Sequence, residues 1–189
     1  MSSSLTAAPS DVQGSDARFN TIPSLDGAPP LVTVRHLTKT YRGRPALRDL
    51  SLSLPAGRIV GLMGANGCGK TTLLKILAGV LADYEGQVRI AGHAPGLQSK
   101  ALVSFLPDAD FLATSLTPPR AIAQFSRLFA DFDAAKARRL VDFFGLPADR
   151  SIKEMSKGMG EKLRIALAMS RRARVYLLDE PISGVDPAA

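Results

Sequence analysis

Gly64-Ala65-Asn66-Gly67-Cys68-Gly69-Lys70-Thr71-Thr72 decides the reading of this chain, because it fills every fixed position of the phosphate-loop pattern GxxxxGK[ST]. Glycines at 64, 67 and 69 let the backbone turn sharply and bring N–H groups up to phosphate oxygens, where a Cβ would collide. Lys70 adds a mobile positive charge for the outer phosphates, and the Thr71 hydroxyl is placed to ligate Mg²⁺. Upstream, Arg58-Ile59-Val60-Gly61-Leu62-Met63 reads as a buried strand entering the loop. Downstream, Thr72-Leu73-Leu74-Lys75-Ile76-Leu77-Ala78 reads as a helix leaving it, ended by Gly79. A helix N-terminus aimed at the loop adds its dipole and N–H groups. A glycine-rich turn alone would not imply a ligand; strand, loop and helix together imply one with a polyphosphate tail.

The 189 residues, 46% of them hydrophobic, supply the core of one domain and not of two. No apolar run approaches the roughly 18 residues of a bilayer span, and the N-terminus lacks the basic-then-apolar order of a secretory signal. The single cysteine excludes an internal disulfide and a cysteine-based metal cluster, so a cytosolic protein is expected. The net charge of +7 is scattered. Its densest stretches, Lys136 to Arg139 and Arg171-Arg172-Ala173-Arg174, are not interleaved with stacking aromatics, and the chain has no Trp and three Tyr. They read as solvated helix faces, and nucleic acid is not an expected partner.

Residues 1–30 are rich in Ser, Ala, Pro, Gly and Asp without apolar periodicity; they read as a disordered leader or, equally, as the product of a mis-assigned start codon. From Leu31 the pattern changes. Leu31-Val32-Thr33-Val34-Arg35-His36-Leu37 and Leu50-Ser51-Leu52-Ser53-Leu54 alternate as half-buried strands around a turn at Arg42-Gly43-Arg44-Pro45, and Gly86-Gln87-Val88-Arg89-Ile90-Ala91-Gly92 reads as a further strand. Between Pro118 and Ser156 the period becomes helical. Ile122, Phe125, Leu128, Phe129 and Phe132 share one face; Ala137, Leu140, Val141 and Phe144 share another, with Asp133 as cap and Gly145-Leu146-Pro147 as the stop. A third helix runs from about Lys157 to Arg172, packing through Leu163, Ala166, Leu167 and Ser170. Val175-Tyr176-Leu177-Leu178 then reads as a parallel core strand ending in Asp179-Glu180-Pro181. The expected fold is α/β: a P-loop NTPase core, an antiparallel β side sheet and an α-helical subdomain at about 97–173, all within 31–189.

An apolar strand ending in two acids, in a chain with a phosphate loop, is what Mg²⁺-dependent nucleotide hydrolysis requires. Asp179 would hold Mg²⁺ through its water shell, and Glu180 would orient or deprotonate the attacking water. With Met155-Ser156-Lys157-Gly158-Met159 ahead of a long helix and Ser183-Gly184-Val185-Asp186 after the acids, the chain resembles the nucleotide-binding subunit of an ATP-binding cassette (ABC) transporter. Met155 to Met159 is similar to the family signature LSGGQ, at the family's spacing from the acidic pair. The resemblance implies an ATPase bound peripherally to the cytoplasmic face of a cell membrane and paired with a separate transmembrane permease. It implies a head-to-tail dimer, in which Ser156 and Gly158 of one cassette face the ATP held on Gly64 to Thr72 of the other. Tyr41 resembles the aromatic that stacks on adenine.

Departures from the family pattern qualify this. Lys157 and Met159 replace a glycine and the glutamine of the signature, a variant similar to bacterial exporters. Asp108 stands where the family places a glutamine beside Mg²⁺ and the attacking water. In the loop that meets the permease, Phe111 and Leu112 are either exposed for that contact or buried. Cys68 is either a thiol whose alkylation blocks ATP binding or an inert small residue. Neither His36 nor His93 matches the family's γ-phosphate histidine, so the expectation is a C-terminally incomplete cassette, a fragment or a shortened gene product, that binds ATP and turns it over slowly. A soluble ABC ATPase of cofactor assembly, translation or DNA repair, and a truncated non-catalytic remnant, are the alternatives.

Overall fold

The computed structural model describes residues 2–6, 20–21 and 29–181. Two short strands, β1 (Ser2–Thr6) and β2 (Asn20–Thr21), lie where a disordered leader was expected. Backbone groups make a strand ladder, so a segment without apolar periodicity still pairs with an open strand edge. The rest of that stretch, up to residue 28, lies outside the described residues, as does Ser183-Gly184-Val185-Asp186.

The chain divides into two compact units, Met1–Ala101 and Leu102–Ala189. In the first, β3 (Val32–Tyr41) and β4 (Arg44–Leu54) form an antiparallel hairpin joined by Arg42 and Gly43. Both have positive φ, 47° and 78°, the hand that matches strand twist. The turn is thus shorter than expected, and Arg44 and Pro45 already belong to β4. Next come β5 (Ile59–Met63), α1 (Lys70–Leu77), β6 (Glu85–Ile90) and the single turn α2 (Leu97–Lys100). β5 pairs in parallel with β1, from Ser2 opposite Ile59 to Thr6 opposite Met63. A four-stranded sheet runs β2-β4-β3-β6, in which β3 is antiparallel to both β4 and β6 and β2 joins β4 in parallel. Val34, Leu37, Leu52, Val88 and Ile90 from the sheet, and Leu73, Ile76 and Leu77 from α1, are buried. α1 closes at Gly79, where the N–H groups of Gly79 and Val80 donate to Ile76 O and Lys75 O, both at 2.9 Å.

β5 corrects one expectation. Ile59 is 80% and Met63 55% exposed, while Val60 and Leu62 on the other face are half-buried. An apolar run implies cover on both faces only when both faces have neighbours, and here the 59-61-63 face is open.

The second unit holds β7 (Val103–Leu106), α3 (Pro118–Leu128), α4 (Ala134–Phe143), a 3₁₀ turn at Ile152–Glu154, α5 (Lys157–Met169) and β8 (Val175–Leu178). β7 falls inside the span expected to be helical. Four residues carry too little periodicity to declare a strand; parallel pairing with β8, from Val103 opposite Val175 to Leu106 opposite Leu178, makes it one. Ile122 and Phe125 of α3, Ala137 and Val141 of α4, and Leu163 and Leu167 of α5 share one buried cluster. Leu128, expected on that face, sits in the last turn of α3 and is 63% exposed. β8 is less enclosed than a core strand: Leu177 is buried, whereas Val175 and Tyr176 are half-buried and Leu178 is exposed.

Asp133 caps α4 as expected, accepting from Lys136 N–H at 2.8 Å, and that bond holds its carboxyl below the usual carboxylate range. The support it gives is present above the unfolded-state value and is lost as pH falls through the folded one.

Arg171 corrects the reading of its basic stretch as solvated. Its guanidinium is buried, donating from Nε to both Asp131 oxygens at 3.1 and 3.2 Å and from Nη1 to Val103 O at 2.8 Å, with its face 4.3 Å from the Phe129 ring centroid. A charge tolerates burial when its donors are satisfied, and these are. Asp131→Ala is expected to destabilise the second unit by about 2–3 kcal/mol, because it leaves a buried guanidinium without its counter-charge. Urea unfolding measures this; a change under about 0.5 kcal/mol would contradict it.

Candidate nucleotide-binding site

The phosphate loop occupies the turn between β5 and α1. Residues 64–68 are exposed, so the loop is open to a ligand. Gly69 is the N-cap of α1 at φ 98° and brings no side chain to cap it, while Leu73 N–H donates back to Gly69 O at 2.9 Å. A helix end not covered by a capping side chain offers its dipole to an anion. Lys70 Nζ donates to Gly64 O at 2.8 Å and Ala65 O at 3.0 Å and lies 4.0 Å from Cys68 Sγ. These bonds draw the ammonium, the Cys68 thiol and the loop carbonyls into one small cluster. Thr71 is exposed on the first turn of α1 and Thr72 half-buried beside it.

Gly69 also joins the loop to the hairpin. The β3–β4 register slips by one residue between the pairs Lys39–Leu47 and Thr40–Pro45, leaving Ala46 as the extra residue of β4. A Cβ on Gly69 would run into the Ala46 carbonyl oxygen and come within 2.8 Å of Leu47 Cδ2. The hairpin that ends at Tyr41 is therefore seated directly on the start of α1. Tyr41 is 44% exposed at the end of β3, with Lys39 Nζ 4.8 Å from its ring centroid. This leaves ring surface for stacking.

In the second unit, parallel β7 and β8 bring two further expected residues to one end. Asp179 follows β8 and donates its N–H to Leu106 O, the last residue of β7, at 2.9 Å; Pro107 and Asp108 follow that strand. Asp179 is 3% exposed. Glu180 is exposed and has φ 46°, a left-handed conformation that costs a glutamate about 1 kcal/mol and is found at functional turns. The Asp108 side chain is exposed, while its carbonyl accepts from Arg164 Nη1 at 3.2 Å; Arg164 also reaches the Asp110 carboxylate at 2.9 Å. Phe111 is 41% exposed, its ring centroid 6.1 Å from that of Phe125, and Leu112 packs against the helical cluster.

Ser156 is the N-cap of α5, its hydroxyl oxygen accepting from Met159 N–H at 3.2 Å. The hydroxyl hydrogen remains to donate. Ser151 and Glu154 close a reciprocal box just before it, and the Ser151 hydroxyl and N–H hold the Glu154 carboxyl low. A Cβ on Gly158 would meet nothing within 4 Å, so this chain's own packing does not require glycine there.

Two contributors escaped the sequence reading. Arg164 ties the segment after β7 to α5, and Lys39 lies against Tyr41. The signal for Lys39 was its phase: after Val32, Val34 and Leu37 it is the next inward position of β3, where an apolar residue belongs.

The sequence profile of the ABC transporter family matches residues 47–183, more than half of the chain. The chain is 36% identical over 173 residues to the human phospholipid-transporting ATPase ABCA7, an alignment covering 86% of this chain and 8% of that protein. It is also 36% identical over 166 residues to the aliphatic sulfonates import ATP-binding protein SsuB 1 of Xanthomonas axonopodis, covering 78% and 61% respectively. It thus spans less than two thirds of the length of either. An ABC transporter ATP-binding protein of Pyrococcus furiosus has the same fold at a TM-score of 0.72 and 22% identity, over 83% of this chain and 78% of that one.

The two glycines differ in what their own surroundings require. Gly69→Ala is expected to cost roughly 2 kcal/mol or more, since the new Cβ meets backbone at a positive φ. Gly158→Ala is expected to leave the thermal midpoint unchanged or slightly raised. Thermal unfolding of both variants decides it, and equal losses would contradict the assignment.

Proposed function

Because the chain belongs to the ABC transporter family, we propose that it is the ATP-binding and ATP-hydrolysing subunit of a transporter, working at the cytoplasmic face of a membrane with a separate permease. The observation that carries this is the exposed glycine loop at the uncapped start of α1, with Lys70 held at its mouth. The loop N–H groups and the Lys70 ammonium bind the phosphates, and Tyr41 stacks on the base. Thr71 and Asp179 offer hydroxyl and carboxylate oxygens, the hard donors that Mg²⁺ takes, and the exposed Asp108 adds another. Mg²⁺ held by such donors would neutralise phosphate charge. Glu180 orients a water and accepts its proton as the water oxygen bonds to the γ-phosphorus and the bond to the β–γ bridging oxygen breaks, releasing ADP and phosphate.

A second copy, or a homologous cassette, completes the site. What supports this is the start of α5: Ser156 is exposed with a hydroxyl hydrogen to give, and Gly158 is bare of any side chain its own fold would need to omit. Export as the direction of transport rests on the signature variant with Lys157 and Met159. Among the described residues no helix is long and apolar enough to cross a membrane, and the transport path lies in the permease.

Glu180→Gln is expected to keep ATP affinity within about twofold while lowering hydrolysis about 100-fold or more, and Lys70→Ala to lose most of the affinity. Calorimetric binding and phosphate release measure the two quantities. Hydrolysis unchanged in Glu180→Gln would overturn the assignment of the base, and unchanged affinity in Lys70→Ala that of the loop.

A further inference from the structure

Lys39 is a buried lysine whose charge the phosphate loop does not use. Its side chain is 6% exposed, and Nζ donates to Asp83 Oδ2 at 2.7 Å while lying 4.8 Å from the centroid of the Tyr41 ring. Burying an ammonium costs free energy that an exposed partner such as Asp83 returns only in part. A lysine needed only to tie a strand to a loop would pair as well at the surface. What burial adds is a fixed cation against one face of a half-exposed aromatic ring.

We infer that Lys39 is a positioning residue for base recognition: held by Asp83, its ammonium fixes the Tyr41 ring and leaves the opposite face to stack on the purine of the bound nucleotide. The inference rests on the reading of Tyr41 as the base platform. Two physical effects follow from the geometry. A cation against one face draws ring electron density toward it, which strengthens stacking of an electron-rich heterocycle on the other face. A ring already held in place loses little freedom when the base arrives. Asp83 lies between the end of α1 and the start of β6, so the same contact ties Tyr41 to the segment leaving the phosphate-loop helix. With the seat of Gly69 on Ala46, it forms a second tie between base platform and phosphate loop. The two set the spacing between the ends of one nucleotide.

The test compares ATP with inorganic tripolyphosphate, which fills the loop and has no base. Calorimetric affinities are measured on the full chain for wild type, Tyr41→Ala, Lys39→Met, Lys39→Arg, Asp83→Asn and the double variant Lys39→Met/Tyr41→Ala. Wild type is expected to prefer ATP, and Tyr41→Ala to lose that margin. Lys39→Met is expected to weaken ATP about threefold to tenfold with tripolyphosphate affinity held within about twofold, Lys39→Arg to recover most of the margin, and the double variant to lose no more than Tyr41→Ala alone. A full ATP margin in Lys39→Met, beside a lost margin in Tyr41→Ala, overturns the role of Lys39 and leaves the platform standing. A full margin in Tyr41→Ala overturns the platform and the inference with it. Equal weakening of ATP and tripolyphosphate in Lys39→Met shows a merely structural residue and overturns the inference. Should Lys39→Met not fold, Asp83→Asn is judged on the same terms.

Discussion

The seat of Gly69 on the Ala46 carbonyl is the constraint on which the first unit depends. A backbone carbonyl from a slipped strand register occupies the space where any other residue would carry a Cβ, and this fixes the start of α1 against the hairpin. From that contact the loop acquires its direction, with the N-terminus of α1 facing outward and Lys70 folded over the loop carbonyls. Tyr41 acquires its place from the same hairpin. Phosphate loop and base platform thus derive from one close approach of two backbones, and the Lys39–Asp83 pair adds a second tie.

The second unit solves a different problem, how to hold acids at a strand end. Asp179, the first residue after β8, is buried, and Glu180, next in the chain, is exposed and takes a left-handed φ of 46°. Parallel pairing carries the segment after β7 to the same end, and Arg164 fastens that segment to α5, the helix Ser156 caps. Acid, loop segment and signature are therefore linked through named bonds within one unit. The Arg171–Asp131 pair and the shared helical cluster supply the rigidity behind them.

What could be read from the sequence was local chemistry. The phosphate loop is a motif of fixed spacing, the hairpin and helix faces are periodicities, and the Asp133 cap and glycine stops are single-residue signals; the structure has them in place, apart from a shorter hairpin turn and Leu128, exposed at the end of α3. What could not be read depends on partners far along the chain. Arg171 is buried because Asp131 and the Val103 carbonyl, 40 and 68 positions away, satisfy it. Lys39 is buried because Asp83, 44 positions away, reaches it. β7 is a strand through β8, and the open face of β5 follows from which neighbours cover it, a property no apolar run encodes. β1 and β2 form through backbone pairing, to which composition is nearly blind.

For the seating of a polyphosphate on the loop from Gly64 to Thr72, the chain carries its own probe. Cys68 is its single cysteine, exposed within that loop. The rate of Cys68 alkylation by a small maleimide, measured with and without saturating ATP or tripolyphosphate, tests that seating most directly. Either ligand is expected to slow the reaction about tenfold or more, since protection scales with occupancy. Equal rates with and without ligand, at concentrations where calorimetry shows ATP bound, would place the nucleotide elsewhere and contradict it.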